Sequence, residues 1–228
     1  FAPIGNSFRG SMIAEDAFEH SGLLHTLAGG NRLDLTDCKR SDAVLFDFYS
    51  SLISGGSRVE LSLASAVQEA KELLTYEGQA EHNLVISHQK RLKINREINQ
   101  RLAPADAVRL EIAGRAARGN AAQTMLIWPG IVLIGCVAAS RCGIQNGVLY
   151  KVVEVTDEKV HLEGDVVLSF DQAKKWLRLA YAQTYASCQG SKFESPLRLH
   201  DCSHKFFSRK HLFVGLSRAK LAGEVGLV

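Results

Sequence analysis

The sequence predicts an α/β chain: a parallel sheet with flanking helices, interrupted by a small inserted β-barrel. Three observations predict it. Between residues 31 and 102, short apolar runs alternate with stretches of helical periodicity, the order expected of strands joined by crossover helices. From Ala107 to Phe170 that pattern gives way to short strands separated by Gly, Asn and Asp, at the spacing of a small barrel. From Leu177 onward the α/β pattern returns.

Residues 1–30 open with the turn formers Pro3, Gly5, Asn6 and Gly10, and a helical stretch follows around Ala14 to Leu27. Asn31 to Thr36 sets Leu33 and Leu35 between polar neighbours, a short strand. Lys39-Arg40-Ser41-Asp42 starts a helix, with Ser41 or Asp42 as cap. Val44, Leu45, Phe48 and Leu52 form its apolar stripe, and Gly55-Gly56 ends it. Leu63 to Tyr76 is a second amphipathic helix, with Gly78 just beyond. Asn83 to His88 is a compact buried strand. Gln89 to Leu102 is a helix with apolar Leu92, Ile94, Ile98 and Leu102 and a basic face of Lys90, Arg91, Lys93, Arg96 and Arg101. Pro104 stops it. Short strands follow at Val108–Ile112, Met125–Ile127, Ile131–Val137, Val148–Val155, Val160–Leu162 and Val166–Phe170. Gln145-Asn146-Gly147 and Thr156 to Lys159 mark turns between them. Asp171 to Trp176 is a short helical turn. Thr184 to Gly190 reads as a strand entering a Gln-Gly turn, and Leu212 to Leu216 as a central apolar strand ending in Ser217-Arg218.

Of 228 residues, 46% are apolar, enough for a sizeable core. Charged residues make up 22% and the net charge is +3, so bulk charge does not mark a nucleic-acid binder and only clustering could. Five cysteines, at 38, 136, 142, 188 and 202, are odd in number and widely spaced. They do not suit a secreted disulfide framework, and a reducing, intracellular setting is expected. The longest apolar run, Met125 to Ala139, is broken by Pro129 and two glycines and is too short to span a bilayer. No phosphate-loop pattern occurs, and no apolar strand ends in paired acids suited to magnesium. His200, Cys202 and His204, with Cys188 upstream, are zinc-ligand types. They lack the Cys-x-x-Cys knuckle, and alternating residues on a strand do not close a tetrahedral cage, so no metal site is assigned.

Thr184, Ser187, Gln189 and Gly190 match the pattern Thr, any residue, His, Lys or Ser, any residue, Gln, Gly. Ala186 departs where His is common, and Lys192 stands where Thr is common. Together with Leu212 to Lys220, this segment resembles the fifth and sixth motifs of superfamily-one helicases, in particular the RecD-like and Pif-type branch. Leu35 to Asp42 resembles the fourth motif, and Phe1-Ala2-Pro3-Ile4-Gly5 the end of the third. Val85 to His88, with Asn95 beyond, resembles the strand-helix unit where a Thr-Asn pair touches single-stranded DNA. Gly143 to Gly147 resembles the Asn-Gly turn of the small β-barrel in this branch.

The resemblance implies a RecA-like second motor domain at 31–115 and 171–228, a barrel at 116–170, and the tail of a first motor domain with its linker at 1–30. It implies that Arg40 and Arg218 face the terminal phosphate of ATP, where cations neutralise charge on the transferring group. Gln189 and Gly190 would meet the nucleotide and couple domain closure to the grip on the strand. Thr184, Ser187, Ser87, His88 and Asn95 would hold single-stranded DNA or RNA. ATP and Mg would be bound mainly by the N-terminal motor domain, expected before residue 1, so this chain alone is not expected to hydrolyse ATP. Other readings stay open for the residues themselves. Arg218 could open a solvated helix, Arg40 could pair with Asp37 or Asp42, and His88 could be an ordinary surface residue. The whole chain could also be a half-motor repurposed within a larger assembly, or a plain nucleic-acid-binding domain.

Overall fold

The computed structural model describes residues 22–31, 38–53, 56–112, 119 and 122–228, which fall into two units. One unit comprises Phe1–Gly78 together with Gln189–Val228, the other Gln79–Cys188. The expected motif at 1–5 and nearly all of the strand at 31–36 lie outside the described residues. Of the helical stretch at 14–27, α1 (Gly22–Leu27) is described, and none of it is buried.

In the first unit, Asp42 starts α2 (Ala43–Ser50), accepting the Leu45 amide at 2.8 Å. The buried stripe is Leu45, Phe48, Tyr49 and Leu52, at helical spacing. Val44, expected on that stripe, faces away and is 47% exposed. The helix stops at Ser50, ahead of the glycine pair that was expected to end it. Ser62 caps α3 (Leu63–Leu73), which buries only Ala66, Val67 and Ala70.

In the second unit, β1 (His82–Val85) leads through the N-cap Ser87 into α4 (His88–Leu102). The buried face of α4 is polar: Arg91, Asn95 and Asn99, four residues apart. Leu92, Ile94 and Ile98 are only half-buried, and Leu102 is exposed. Arg91, expected on a solvated basic face, is wholly buried. Then come β2 (Val108–Leu110), β3 (Met125–Ile127), β4 (Val132–Gly135), β5 (Leu149–Val155), β6 (Lys159–Leu162), β7 (Val166–Ser169), α5 (Phe170–Trp176), β8 (Leu177–Leu179) and β9 (Ala182–Thr184). Strands β1 and β9 pair in parallel, with Val85 opposite Thr184.

The inserted strands form an antiparallel sheet of order β7-β6-β5-β4-β8 and a separate β2-β3 pair. These strands do not close into the expected barrel: among the described residues the five-stranded sheet stays open, with β7 and β8 as its edges. Both pieces nonetheless bury one core, in which Leu110, Met125 and Ile127 join Leu133, Val152, Val160 and Leu168. The Asn-Gly turn between β4 and β5 is pinned by Tyr150, whose hydroxyl donates to the Gly143 carbonyl at 2.9 Å and accepts from the Gln145 amide at 2.8 Å.

The chain returns to the first unit with β10 (Leu197–Leu199), α6 (Arg209–Leu216) and β11 (Val225–Leu227). Strands β10 and β11 pair in parallel. Leu212 to Leu216, expected as a strand, is the second half of α6. An apolar run of five residues fits either element, and the sequence upstream decides. His211 Nδ1 takes the Ser208 amide at 3.2 Å and sits 2.7 Å from its hydroxyl, which seeds the first turn. Leu212 and Leu216 then bury one turn apart, and Tyr49 of α2 meets Phe213 edge-on at 5.4 Å.

Candidate functional site

The first unit brings the predicted fourth and sixth motifs together, although 177 residues separate Arg40 from Ser217. The segment before α2 is zipped onto the segment after α6. Arg40 Nη1 donates to the Ser217 carbonyl at 3.5 Å, and the Ser41 hydroxyl donates to the Ala219 carbonyl at 2.8 Å. The Asp42 amide donates to the Lys220 carbonyl at 2.9 Å, while its carboxylate takes the Ala222 amide at 2.7 Å. Asp42 therefore caps α2 with one oxygen and fastens the second segment with the other.

The Ser-Arg order has a local reason. Ser217 is buried, and its hydroxyl donates to the Val214 carbonyl while accepting from Arg218 Nε at 3.3 Å and Nη2 at 2.9 Å. The Arg218 carbonyl takes the Phe193 amide at 2.8 Å. Arg218 is half-buried, while Lys39, Arg40 and Lys220 are exposed. Two guanidinium groups are thus carried on adjoining, mutually bonded segments, with further cations alongside. The Cys38 thiol lies under this segment. Burial pushes it up, but hydrogen bonds from the Tyr49 hydroxyl and the Ser41 and Arg40 backbone outweigh that and leave it below the ordinary thiol value. Tyr49 is pushed up to about 12, by burial and by Cys38.

Gln189 and Gly190 follow β9, on the first unit's side of the boundary. Gly190 has a φ of +91°, which an L side chain strains to adopt, so glycine here answers a backbone need. The Gln189 side-chain Nε2 is buried and finds no acceptor among the described residues. An orphaned buried donor of this kind is uncommon and calls for a partner.

In the second unit, Ser87 and His88 follow the carboxyl end of β1, and Thr184 to Ser187 the carboxyl end of β9. The pairing of Val85 with Thr184 puts both at one end of this parallel pair. Ligands of parallel α/β sheets gather at such ends. The Thr184 and Ser187 hydroxyls lie 3.0 Å apart and also bond the turn's own backbone. They lock the turn, and Thr184 is buried. The exposed residue of this turn is Ala186, the position where the motif departs from its pattern. Ser87 caps α4 through the Lys90 amide at 3.2 Å. His88 is half-buried and kept below the ordinary histidine value by burial, then by Arg91 and Arg178, so it is neutral at neutral pH.

The Asn95 side chain is spent on the backbone of β9. It is wholly buried, donating to the Ala182 carbonyl at 3.1 Å and accepting the Ala182 amide at 2.8 Å. Its amide stands in for a further strand along β9. Asn99 repeats this one turn on, exchanging two bonds of 2.8 Å with Leu126 of β3. Sequence reasoning missed Asn99 and the burial of Arg91. Arg91, Asn95 and Asn99 recur every four residues, but so do Ile94, Ile98 and Leu102, and spacing alone does not tell which stripe faces inward. Arg178 of β8, also missed, is buried; burial first, and then Arg178, lower Arg91 to about 10, and Arg178 adds to the burial that lowers His88. Among the described residues no three His, Cys, Asp or Glu side chains converge to hold a metal, and no helix is long and apolar enough to cross a membrane.

No protein-family model matches the sequence, and no curated protein matches it. Solved structures do. Two coordinating Pif1 helicases, studied for DNA unwinding at forked double-stranded DNA, align with a TM-score of 0.59 at 16% identity, over 84% of this chain and 48% of theirs. Bacteroides Pif1 bound to single-stranded DNA aligns at 0.57 and 14% identity, over 84% and 50%. Bacteroides Pif1 in complex with ADP-AlF3 and single-stranded DNA aligns at 0.56 and 16% identity, over 86% and 51%. The chain spans about half the length of each. It has a mixed α/β fold with parallel strand pairs and flanking helices, consistent with a RecA-like helicase fold, and that fold resembles about half of each of these structures.

Proposed function

We propose that this chain is the second motor half of an ATP-dependent DNA helicase. The observation that carries this reading is the zipping of residues 40–42 onto residues 217–222, which gathers two arginines from distant motifs. ATP, bound with Mg mainly by a partner motor domain, supplies a phosphoryl group whose developing charge needs cations. Arg40 is exposed and its side chain is held, among the described residues, only by a 3.5 Å bond to the Ser217 carbonyl, and Ser217 aims the Arg218 guanidinium. The orphaned Gln189 amide offers a donor suited to a phosphate oxygen or a ribose hydroxyl. The open five-stranded sheet is read as the counterpart of the family's small barrel.

For the single strand, Ser87, His88 and Ser187 remain candidate contacts. Thr184 is assigned to shaping the turn, and Asn95 to holding β9. The reading rests also on the likeness to structures solved with single-stranded DNA and with ADP-AlF3. The test is Arg218→Ala and Arg40→Ala in a polypeptide joining this chain to a phosphate-loop motor domain. Each variant is expected to lose ATP turnover by about a hundredfold or more while single-strand affinity changes little. Unchanged turnover in Arg218→Ala would sink the assignment.

A further inference from the structure

We propose that the loop between β10 and α6 is a stacking platform for one base of a single-stranded nucleic acid. This rests on the reading that the chain holds a single strand, and it adds a contact on the first unit that no predicted motif supplies. The loop carries two adjacent phenylalanines with opposite fates. Phe207 is buried and stacks on His211 at 5.7 Å. Phe206 is 65% exposed, the one aromatic among the described exposed large apolar residues. A ring of this size gains much from burial, and its outward position forgoes that gain.

The loop is built to hold that ring outward. Asp201 turns the chain with a φ of +65° two residues after β10. The Cys202 amide is tied to the Val228 carbonyl at 3.2 Å, and the Phe207 amide to the His204 carbonyl at 2.7 Å. The Phe206 amide donates to His204 Nδ1 at 3.2 Å. The Lys205 ammonium lies 4.9 Å from the Phe206 ring centre, and the His204 ring 5.5 Å from it.

The chemistry around the ring selects the occupant. From His200 to His211 the sequence has one acid, Asp201, against Lys205, Arg209 and Lys210 and three histidines. Arg209 is committed to the Arg58 and Leu61 carbonyls. A protein partner of ordinary affinity needs a contiguous apolar centre, and a single ring among cations does not supply one. A base stacked on Phe206 brings its phosphate beside the Lys205 ammonium, which is how sequence-tolerant single-strand binders combine stacking with charge. The loop also leaves the carboxyl end of a strand in a parallel pair, where ligands of such sheets gather.

The test uses the 228-residue chain and a fluorescein-labelled oligothymidine, with anisotropy titrations at several salt concentrations. Phe206→Ala is expected to weaken binding about tenfold. Phe206→Trp should bind as well as the parent, and its added fluorescence should be quenched by the oligonucleotide. Lys205→Ala should weaken binding and flatten the slope of log affinity against log salt by about 0.7. If Phe206→Ala binds like the parent while Ser187→Ala binds more weakly, the strand is held elsewhere; this inference fails and the motor reading stands. If the parent chain does not bind oligothymidine at all, both fall. Quenching of Phe206→Trp by an acidic peptide, with none by oligothymidine, would mark a protein site and overturn the inference.

Discussion

Replacing Asn95 by alanine separates a structural role from a ligand role. Asn95 and Ala182 are both wholly buried, and the Asn95 amide gives Ala182 both of its bonds on that side of β9. Removing it strands a backbone N–H and a carbonyl, each costing about 1–3 kcal/mol when left unpaired in the interior. The expected loss is therefore about 2–6 kcal/mol, a large share of the roughly 5–15 kcal/mol that holds a domain folded. Asn95→Asp should cost more, because it keeps the acceptor but turns a carboxylate oxygen toward the Ala182 carbonyl in a buried site. The assay is urea unfolding followed by tryptophan fluorescence. Both tryptophans, Trp128 and Trp176, belong to the same unit as Asn95, so the signal reports the right transition. With a slope of about 2 kcal/mol per molar urea, the midpoint should fall by about 1–3 M. An unchanged midpoint combined with lost oligonucleotide binding would refute the reasoning and return Asn95 to the strand.

Other expectations follow from single contacts. Arg209 donates to the Arg58 and Leu61 carbonyls from the first residue of α6, so Arg209→Ala should destabilise its unit by about 1–3 kcal/mol, with Arg209→Lys recovering little because it lacks the fork; thermal unfolding checks both. A methyl group on Gly226 would be driven into the Tyr76 carbonyl beside the Thr75–Gly226 bridge, so Gly226→Ala should cost more than about 2 kcal/mol in the same assay. Cys38, held below the ordinary thiol value, should alkylate faster at pH 7 than a free thiol, and Tyr49→Phe should slow it; peptide-level mass spectrometry after timed iodoacetamide reads this. His82, His88 and His211 are all lowered, chiefly by burial. The unfolded chain then takes up protons first as pH falls, so stability should drop from about pH 7 downward through the ordinary histidine value near 6.5; a flat midpoint between pH 7.5 and 5.5 would contradict this.

The sequence showed part of what local chemistry decides. Ser41 or Asp42 was read as a cap and Asp42 is the one, and the Asn-Gly turn marked the β4–β5 hairpin; the caps Ser62 and Ser87 were not read, Ser87 having been placed in a strand. The other failures needed tertiary information. Leu212 to Leu216 is too short an apolar run for its period to be read, and its helix depends on the Ser208–His211 contact upstream. Helix α4 misled because amphipathic reasoning assumes an apolar inner face. Here the inner face meets strand backbones with unpaired groups, and amide side chains suit those better than Leu. The resemblance put Arg40 and Arg218 at one phosphate, but nothing local to either segment shows that Asp42 fastens one to the other. Arg91 and Arg178 were invisible as a pair, since residues 91 and 178 meet only through the fold.

The most direct test of the motor reading is steady-state ATP turnover by a polypeptide joining this chain to a phosphate-loop motor domain, measured with and without saturating oligothymidine. The account predicts turnover that rises at least severalfold with the strand and collapses in Arg218→Ala. Strand-independent turnover that survives Arg218→Ala would contradict it.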